Sequence, residues 1–238
     1  MFSSLAPQRC SILSAAVLFD FPSEQTLVQR QKMVDLQLRA RGLADERVLQ
    51  AMARVPRHEF VASRYRDQAY EDHPIPIGEN QTVSQPYIVG LTLEALSLQP
   101  SHRVLEIGTG TGYQTALLAE LVQHVYSMER HPALARQAEA TLARLGYTNT
   151  TVMAADGSVG LPALAPFDAI AVSAAAPRIP QALFDQLSEG GRMVLPVGPA
   201  QGQELQLVLK EGGHPIIRDL GACSFVPLIG GQGYISGW

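Results

Sequence analysis

The sequence predicts an α/β protein with a mostly parallel sheet. A short apolar run rich in β-branched residues, 104–107, leads through glycines into an Ala/Leu-rich helical pattern over 113–121. Helical and strand-like segments then alternate along the chain. Two further strand-like segments, 204–210 and 215–225, flank Gly212-Gly213, which predicts a hairpin that adds an antiparallel edge to the sheet.

Composition and charge fit one ordinary globular domain. The 238 residues are 46% hydrophobic and 17% charged, and the net charge of −4 argues against a nucleic-acid-binding surface, which is normally basic. No apolar run is long enough for a membrane span. Cys10 and Cys223 are isolated, which indicates neither a disulfide framework nor a metal site. We therefore expect a cytoplasmic monomer without a metal ion, a membrane anchor or a nucleic-acid partner.

The N-terminal part is predicted to be an extension followed by helices. Residues 11–19 form an apolar run that loosely resembles a signal peptide, but the run is short and lacks a clear cleavage pattern, and Met33 is an alternative start. Residues 24–41 have helical spacing. A second helix follows, which Asp45 can cap and Pro56 ends.

A polar segment precedes the third predicted helix. Two prolines make 73–78 extended, and Pro86 can begin a helix that runs to about Leu98. Ser84 lies just before this helix, where a hydroxyl can cap the helix, act in a functional site, or do both. His58, farther upstream, is more typical of a surface or helix-end histidine than of a catalytic one.

The later elements continue the alternation. In chain order they are a helix over 131–145, a strand over 149–154, a strand over 167–173, a helix over 180–187, a glycine turn at 190–191 and a strand over 192–197.

Three glycines, Gly108, Gly110 and Gly112, occupy the junction between the first predicted strand of the sheet and its helix. Ligands of α/β sheets bind at such junctions, because glycine lets main-chain N–H groups approach them and the helix N-terminus adds positive potential. A structural βαβ unit whose glycines only turn the chain remains the alternative.

Two carboxylates narrow the choice of ligand. Glu129 follows the glycines by about 20 residues, as expected for an acceptor of hydrogen bonds from ribose hydroxyls. Glu106 lies at the end of the strand, where it would repel a pyrophosphate but attract a cationic sulfonium with its ammonium group. The glycine spacing also departs from the dinucleotide fingerprint. The sequence therefore favours S-adenosylmethionine over NAD.

Asp156-Gly157 ends the next strand and offers a further polar contact. The carboxylate can face an adenine amino group, although Asp-Gly is also a common turn pair. Cys223 lies in an apolar run, which favours core packing over a nucleophilic role.

Several motifs together resemble those of a known family. VLEIGTGTGYQ, VYSMER, ADG, PFDAIAVSAAAP and EGGRMVLPVG follow the order and spacing of class I S-adenosylmethionine-dependent methyltransferases. VPRHEFV, NQTVSQPY and FVPLIG make the chain similar to the protein-L-isoaspartate O-methyltransferases in particular. The resemblance covers roughly residues 26–230. Ser173 and Thr111 depart from the commonest residues of the family but keep a hydroxyl.

The resemblance implies a doubly wound, seven-stranded, mostly parallel sheet in one domain over 26–238. Residues 26–100 would form its helical N-terminal part, 101–238 its cofactor-binding core, and 1–25 an extension without a counterpart. It also implies a set of site residues, with Ser84 as the active-site serine. The residues expected at the cofactor are Thr82, Val83, Ser84, Glu106, Gly108, Gly110, Gly112, Glu129, Arg130, Asp156 and Gly157.

The implied reaction is methylation of the α-carboxylate of L-isoaspartyl residues in damaged proteins and peptides. This carboxylate is ionised at pH 7 and needs no strong base, so Ser84 would orient it by donating a hydrogen bond. Residues 174–177 and 73–78 are candidates for strand-like docking of the peptide. The alternatives are a methyltransferase for another acceptor and a non-catalytic cofactor-binding module.

Overall fold

A computed structural model describes residues 24–237. The apolar run 11–19, Cys10 and almost all of the expected extension 1–25 lie outside these residues.

The described part of the chain contains six α-helices and nine strands. The helices are α1 (Glu24–Lys32), α2 (Glu46–Arg54), α3 (Pro86–Leu96), α4 (Tyr113–Ala119), α5 (Pro132–Arg144) and α6 (Gln181–Asp185). The strands are β1 (Ile75–Gly78), β2 (Gln81–Val83), β3 (Arg103–Ile107), β4 (His124–Glu129), β5 (Thr150–Ala154), β6 (Phe167–Val172), β7 (Leu187–Val197), β8 (Gln203–Glu211) and β9 (His214–Cys223).

Seven strands form one sheet in the order β5-β4-β3-β6-β7-β8-β9. The pairings from β5 to β7 are parallel, whereas β8 and β9 are antiparallel. The predicted mostly parallel, seven-stranded sheet with an antiparallel edge is thus confirmed. The chain builds outward from β3 through β4 to β5, then returns to add β6 beside β3. The carboxyl ends of β3 and β6 therefore flank a topological switch point, where sheets of this kind bind ligands.

Alternate residues of the central strands contribute to two hydrophobic cores, one on each face of the sheet. Val104 of β3 and Ala169 of β6 pack in the larger core, which also contains buried residues of α2, α3 and α4. Their neighbours Leu105 and Ile170 pack in the smaller core, together with Leu183 of α6. This period-2 pattern covers both faces of the sheet and makes it doubly wound.

The predicted C-terminal end of the helix over 180–187 is wrong. The helix stops at Asp185, and Leu187 already pairs with Phe167 of β6. Residues 188–191, where we predicted a glycine turn before a new strand, instead form an irregularity within β7, and Gly190 there has a φ of 75°. Pairing with β6 thus outweighs the helical pattern of this short segment.

The N-terminal helical region agrees with the predicted boundaries. α1 continues as a π-helical segment, Met33–Leu38, and a 3₁₀ turn, Arg39–Arg41, and Gly42 ends it with a φ of 97°. Asp45 caps α2, since its carboxylate accepts hydrogen bonds from the N–H groups of Arg47 and Val48. The chain therefore enters α2 at a fixed angle.

We expect Asp45→Ala to lower the free energy of unfolding by about 1 kcal/mol, because two N–H groups lose their acceptor. Asp45→Asn keeps a side-chain oxygen at this position and should stay within a few tenths of a kcal/mol of the parent protein. Urea unfolding of the three proteins measures the difference. Equal stability of Asp45→Ala and the parent would show that the cap contributes nothing.

Candidate active site

The glycine-rich loop joins β3 to α4 through a sharp reversal. Gly108, Gly110 and Gly112 have φ values of 94°, 55° and 89°, which side chains with a Cβ rarely adopt. Gly112 is the N-cap of α4, and a Cβ there would contact α5. The three glycines thus meet a conformational requirement of the main chain, and Gly112 faces helix α5 rather than a ligand.

Glu129, at the end of β4, holds this loop. Its side chain is almost completely buried, and its two oxygens accept hydrogen bonds from the N–H groups of Gly110 and His131, each at 2.9 Å. A carboxylate has about four acceptor positions, so capacity remains for hydroxyl donors from a ligand. Glu129 is therefore a rigid acceptor beside the glycine loop.

A cavity of about 620 Å³ opens beside the loop, at the carboxyl ends of β3 and β4. Six of the residues expected at the cofactor line it: Thr82, Gly108, Gly110, Glu129, Arg130 and Gly157. The other five, Val83, Ser84, Glu106, Gly112 and Asp156, are not part of its lining. Val83 is instead buried in the larger core.

Glu106 lies behind the cavity and is fully buried. Its carboxylate accepts hydrogen bonds from the hydroxyls of Ser127 at 2.6 Å and Thr115 at 2.5 Å, and from the Gln114 amide at 3.1 Å. Gln114 also donates to Ser173, whose side chain lines the cavity. Glu106 can therefore act on a ligand through its field and through this chain of hydrogen bonds.

Burial raises the pKa of Glu106 to about 7, although the hydrogen bonds from Ser127, Thr115 and Gln114 oppose the rise. The nearby carboxylate of Glu129 adds a smaller rise in the pKa. Near neutral pH the group is therefore balanced between its two protonation states.

Asp156 is tied to the C-terminal segment of the chain. Its oxygens accept hydrogen bonds from the N–H groups of Ser158 and Gly231, both at 2.9 Å. Partial burial raises the pKa of Asp156, but these hydrogen bonds and the charge of Arg130 outweigh the burial, and the pKa falls below its usual value. Asp156 is thus an ionised acceptor that the tail has already engaged.

The C-terminal tail forms part of the cavity wall. Residues 224–229 and Gly237 line it. The hydroxyl of Tyr234 donates to the carbonyl of Gly198 at 2.9 Å, and the N–H of Gln232 donates to Ser158. The motif FVPLIG, 225–230, indicated the family but not a position at the ligand, because the place of this segment depends on contacts that form only in the folded chain.

The β1–β2 hairpin forms another part of the cavity wall. Its turn residues Glu79 and Asn80 both have positive φ, and both line the cavity together with Ile77 and Gln81. The turn also approaches the helix side of the cavity, where Glu79 and His131 are 3.6 Å apart. Sequence reasoning predicted an extended segment here but did not place its turn at the ligand.

Ser84 lies between this hairpin and α3 and is partly buried. The N-cap residue of α3 is Gln85, without a side-chain capping bond, so the interpretation of Ser84 as the helix cap is wrong. Its hydroxyl makes no hydrogen bond with any residue of 24–237, whereas its carbonyl accepts one from Arg57 at 2.8 Å. The hydroxyl is therefore free to bind a substrate group.

The main chain of the loop after β6 is already paired. The N–H of Ala175 donates to Val226, its carbonyl accepts from Leu228, and the N–H of Ala176 donates to Pro196. Strand-like docking of a peptide along 174–177 conflicts with this pairing.

His58 and Cys223 lie outside the cavity lining. His58 is buried against the Tyr70 hydroxyl, 2.6 Å from its Nδ1 atom. Burial raises the pKa of the Cys223 thiol to about 11, so little thiolate forms near neutral pH.

Within residues 24–237, no group of three or more His, Cys, Asp or Glu side chains is arranged to hold a metal ion. None of the described helices has the length and apolar character that crossing a bilayer requires.

Comparison with known proteins identifies the family of this chain. Residues 28–233 match the family described as protein-L-isoaspartate(D-aspartate) O-methyltransferase. The chain belongs to this family. It is 56% identical over 207 residues to the protein-L-isoaspartate O-methyltransferase of Koribacter versatilis, covering 87% of this chain and 93% of the relative. The enzyme of the same name from Methanoculleus marisnigri is 53% identical over 206 residues, covering 87% and 94%.

Solved structures of the same family share the fold. A Plasmodium falciparum structure described as a protein-L-isoaspartate O-methyltransferase, in complex with S-adenosyl-L-homocysteine, has a TM-score of 0.75 and 26% identity, covering 84% of this chain and 98% of that one. A second protein-L-isoaspartate O-methyltransferase structure has a TM-score of 0.77 and 30% identity, covering 85% of this chain and 66% of that one. Similarity of sequence and similarity of structure to these proteins both show that this chain has the methyltransferase fold.

The raised pKa of Glu106 makes the stability of this family member depend on pH. The pKa of Glu106 is about 4.5 without burial and about 7 in the folded protein. The protonated carboxyl therefore contributes its full stabilisation below about pH 4.5, and this contribution is lost as the pH rises through about 7. Glu106→Gln has no such titration. We expect the variant to gain up to about 3 kcal/mol in unfolding free energy, relative to the parent, between pH 4.5 and pH 8.

Urea unfolding at a series of pH values measures this difference. Glu139→Gln is the matched control, because Glu139 is exposed on α5 and its replacement should leave the pH dependence unchanged. Parallel pH profiles for the Glu106 variant, the control and the parent would contradict the assignment.

Proposed function

We propose that this chain transfers a methyl group from S-adenosylmethionine to the free α-carboxylate of L-isoaspartyl residues in damaged proteins and peptides. The observation that carries the proposal is the cavity beside the glycine loop. It is lined by the fixed carboxylate of Glu129 and by Thr82, two residues before Ser84 with its unpaired hydroxyl. Family membership over most of the chain supports the same activity.

The residues of the cavity fit the proposed cofactor. Glu129 would accept hydrogen bonds from the ribose hydroxyls, and Gly108 and Gly110 would let the main chain approach the ligand. A Cβ at Gly157 would lie only 2.6 Å from Ile107, so glycine provides space there, whereas Gly108 needs glycine for its φ of 94°.

Asp156, Arg130 and Val83 complete the proposed cofactor set. Asp156, beside Gly157, would face the adenine amino group, and Arg130 lines the cavity next to Glu129. Val83 supports the acceptor segment from the core, between the cavity residue Thr82 and Ser84. When bound, the cofactor supplies a methyl group activated by a positively charged sulfur.

The acceptor needs orientation more than activation. A carboxylate is ionised at neutral pH, so the chain does not have to remove a proton before the methyl group is accepted. Ser84 would donate its free O–H to one carboxylate oxygen and direct the other oxygen toward the cavity. Ser84 is therefore assigned as a positioning donor and not as a nucleophile.

Water must be kept from the reacting charges. The tail at 224–229 and the hairpin residues Glu79 to Thr82 both line the cavity, so two separate segments would shield a bound cofactor and acceptor from solvent. Fewer water molecules would strengthen the attraction between the negative acceptor and the positive centre of the cofactor.

The methyl ester is the product that makes repair possible. The main-chain nitrogen that follows the modified residue attacks the ester carbonyl, methanol leaves and a succinimide forms without further help from the protein. Hydrolysis of the succinimide returns part of the material as normal aspartate. We propose that the protein carries out this repair as a monomer in the cytoplasm.

Methyl transfer to a matched pair of peptides tests the proposal. One peptide contains L-isoaspartate and the other contains aspartate at the same position, and labelled S-adenosylmethionine is the donor. We expect base-labile label on the isoaspartyl peptide alone. Label on neither peptide, with the cofactor still bound, would discard the proposed acceptor and favour another acceptor or a non-catalytic binding module.

We expect Ser84→Ala to lower kcat for the isoaspartyl peptide by about 10–100-fold, because a hydrogen bond to the charged acceptor is lost. The dissociation constant for S-adenosylhomocysteine should change by less than about threefold, since the hydroxyl is not needed to hold the cofactor. Ser101→Ala, in an exposed turn before β3, is the matched control. Unchanged turnover by Ser84→Ala would remove Ser84 from the mechanism.

A further inference from the structure

Arg57 is a buried cation without an ion-pair partner among residues 24–237. It begins the 3₁₀ turn Arg57–Phe60, and its side chain is completely inaccessible to solvent. Nε donates a hydrogen bond to the carbonyl of Ala69 at 2.7 Å, and Nη2 donates one to the carbonyl of Ser84 at 2.8 Å. Main-chain dipoles, rather than a carboxylate, therefore stabilise the charge.

The same guanidinium group also contacts the glycine-loop side of the molecule. Its central carbon lies 4.6 Å from the centroid of the Tyr113 ring. Tyr113 is the first residue of α4 and directly follows Gly112. Arg57 thus connects the segment that carries Ser84 to the start of the helix that follows the glycine loop.

Arg57 remains charged in this setting. Burial lowers its pKa, while Tyr113, Tyr70 and Asp72 favour the charged form. The ordinary pKa of arginine is so high that the group stays protonated at neutral pH. A buried charge without an opposite partner destabilises a fold, so this arrangement is not explained by stability alone.

We propose that Arg57 is a positioning residue that fixes Ser84 and provides the positive charge that favours an anionic acceptor. The inference rests on the proposed function, because it takes the acceptor to be a carboxylate bound by the Ser84 hydroxyl. Arg57 donates a hydrogen bond to the carbonyl of Ser84. The charge of Arg57 therefore lies next to the residue whose hydroxyl would bind the acceptor. The charge is shielded from water, and its attraction for an anion is correspondingly strong.

The two contributions of Arg57 should affect different kinetic constants. The positive charge stabilises the ionised acceptor more than the neutral ester that forms from it, so the charge should lower KM without raising kcat. The paired hydrogen bonds to Ser84 and Ala69 set the position of the hydroxyl, and this position should determine kcat.

Two substitutions separate these contributions. Arg57→Gln removes the charge and keeps an amide donor, and we expect KM for the isoaspartyl peptide to rise about tenfold or more. Arg57→Lys keeps the charge but loses the planar pair of donors, so KM should stay within about threefold while kcat falls about tenfold. Binding of S-adenosylhomocysteine should change by less than about threefold in both variants, because Arg57 does not line the cavity.

Arg47 provides the matched control. Its guanidinium also donates to two main-chain carbonyls, those of Leu98 at 2.6 Å and Leu121 at 2.8 Å, and it too lies outside the cavity lining. Arg47 is only partly buried, so Arg47→Gln and Arg47→Lys control for the loss of paired hydrogen bonds to carbonyls and should not separate KM from kcat. Circular dichroism and thermal unfolding establish the folded fraction of each variant before its kinetics are measured.

The outcomes are distinct. KM of Arg57→Gln within about threefold of the Arg47→Gln value would overturn the role of the charge. If Arg57→Gln does not fold, Arg57→Lys decides, and a kcat equal to that of Arg47→Lys would overturn the inference. Failure of both Arg57 variants to fold, with both Arg47 variants folded, would assign Arg57 to stability alone. Failure of the parent protein to methylate the isoaspartyl peptide would instead reject the proposed function.

Discussion

The hydrogen bond from the Gly110 N–H to the Glu129 carboxylate is the contact on which the site depends. It joins the loop after β3 to the end of the neighbouring strand β4, and the second oxygen of Glu129 holds His131 at the start of α5. One carboxylate thus fixes a sharp main-chain reversal, a strand end and a helix start. The cavity can then keep one shape before any ligand arrives, which lowers the entropic cost of binding.

Two buried ionisable groups lie behind the walls of the site rather than in them. Glu106 is satisfied by three side-chain donors, and its pKa is raised to about 7 mainly by burial. Arg57 donates to two main-chain carbonyls and lies over an aromatic ring, while its Nη1 atom is buried without a hydrogen-bond partner among residues 24–237. Both groups are shielded from water, so solvent screens their charges only weakly. Glu106, whose carboxyl is partly ionised near neutral pH, lies near the glycine loop, and the positive group lies near Ser84, which matches a cationic cofactor and an anionic acceptor.

The sequence was sufficient to predict most of the sheet, because glycines and β-branched runs report local conformation directly. It also predicted Glu129 at the ligand, and the side chain lines the cavity, because the carboxyl ends of parallel strands meet at the same edge of the sheet. The direction of the Glu106 side chain was not predictable in the same way, because it depends on three donors from α4 and β4 that meet only in the folded chain. The position of the tail at the cavity was not predictable for the same reason. Its position depends on long-range bonds such as that between Gly231 and Asp156, and the boundary of α6 depends on the pairing of Leu187 with β6.

The affinity of S-adenosylhomocysteine for Glu129→Gln, measured by isothermal titration calorimetry, tests the central claim most directly. The amide keeps the size of the side chain but loses its charge and presents a donor to one of the two N–H groups, so we expect binding at least about tenfold weaker than in the parent. Glu79→Gln changes another carboxylate of the same cavity that makes only a 3.6 Å contact with His131, and it should bind within about threefold of the parent. Equal affinity of Glu129→Gln and the parent would contradict the claim that this carboxylate organises the site.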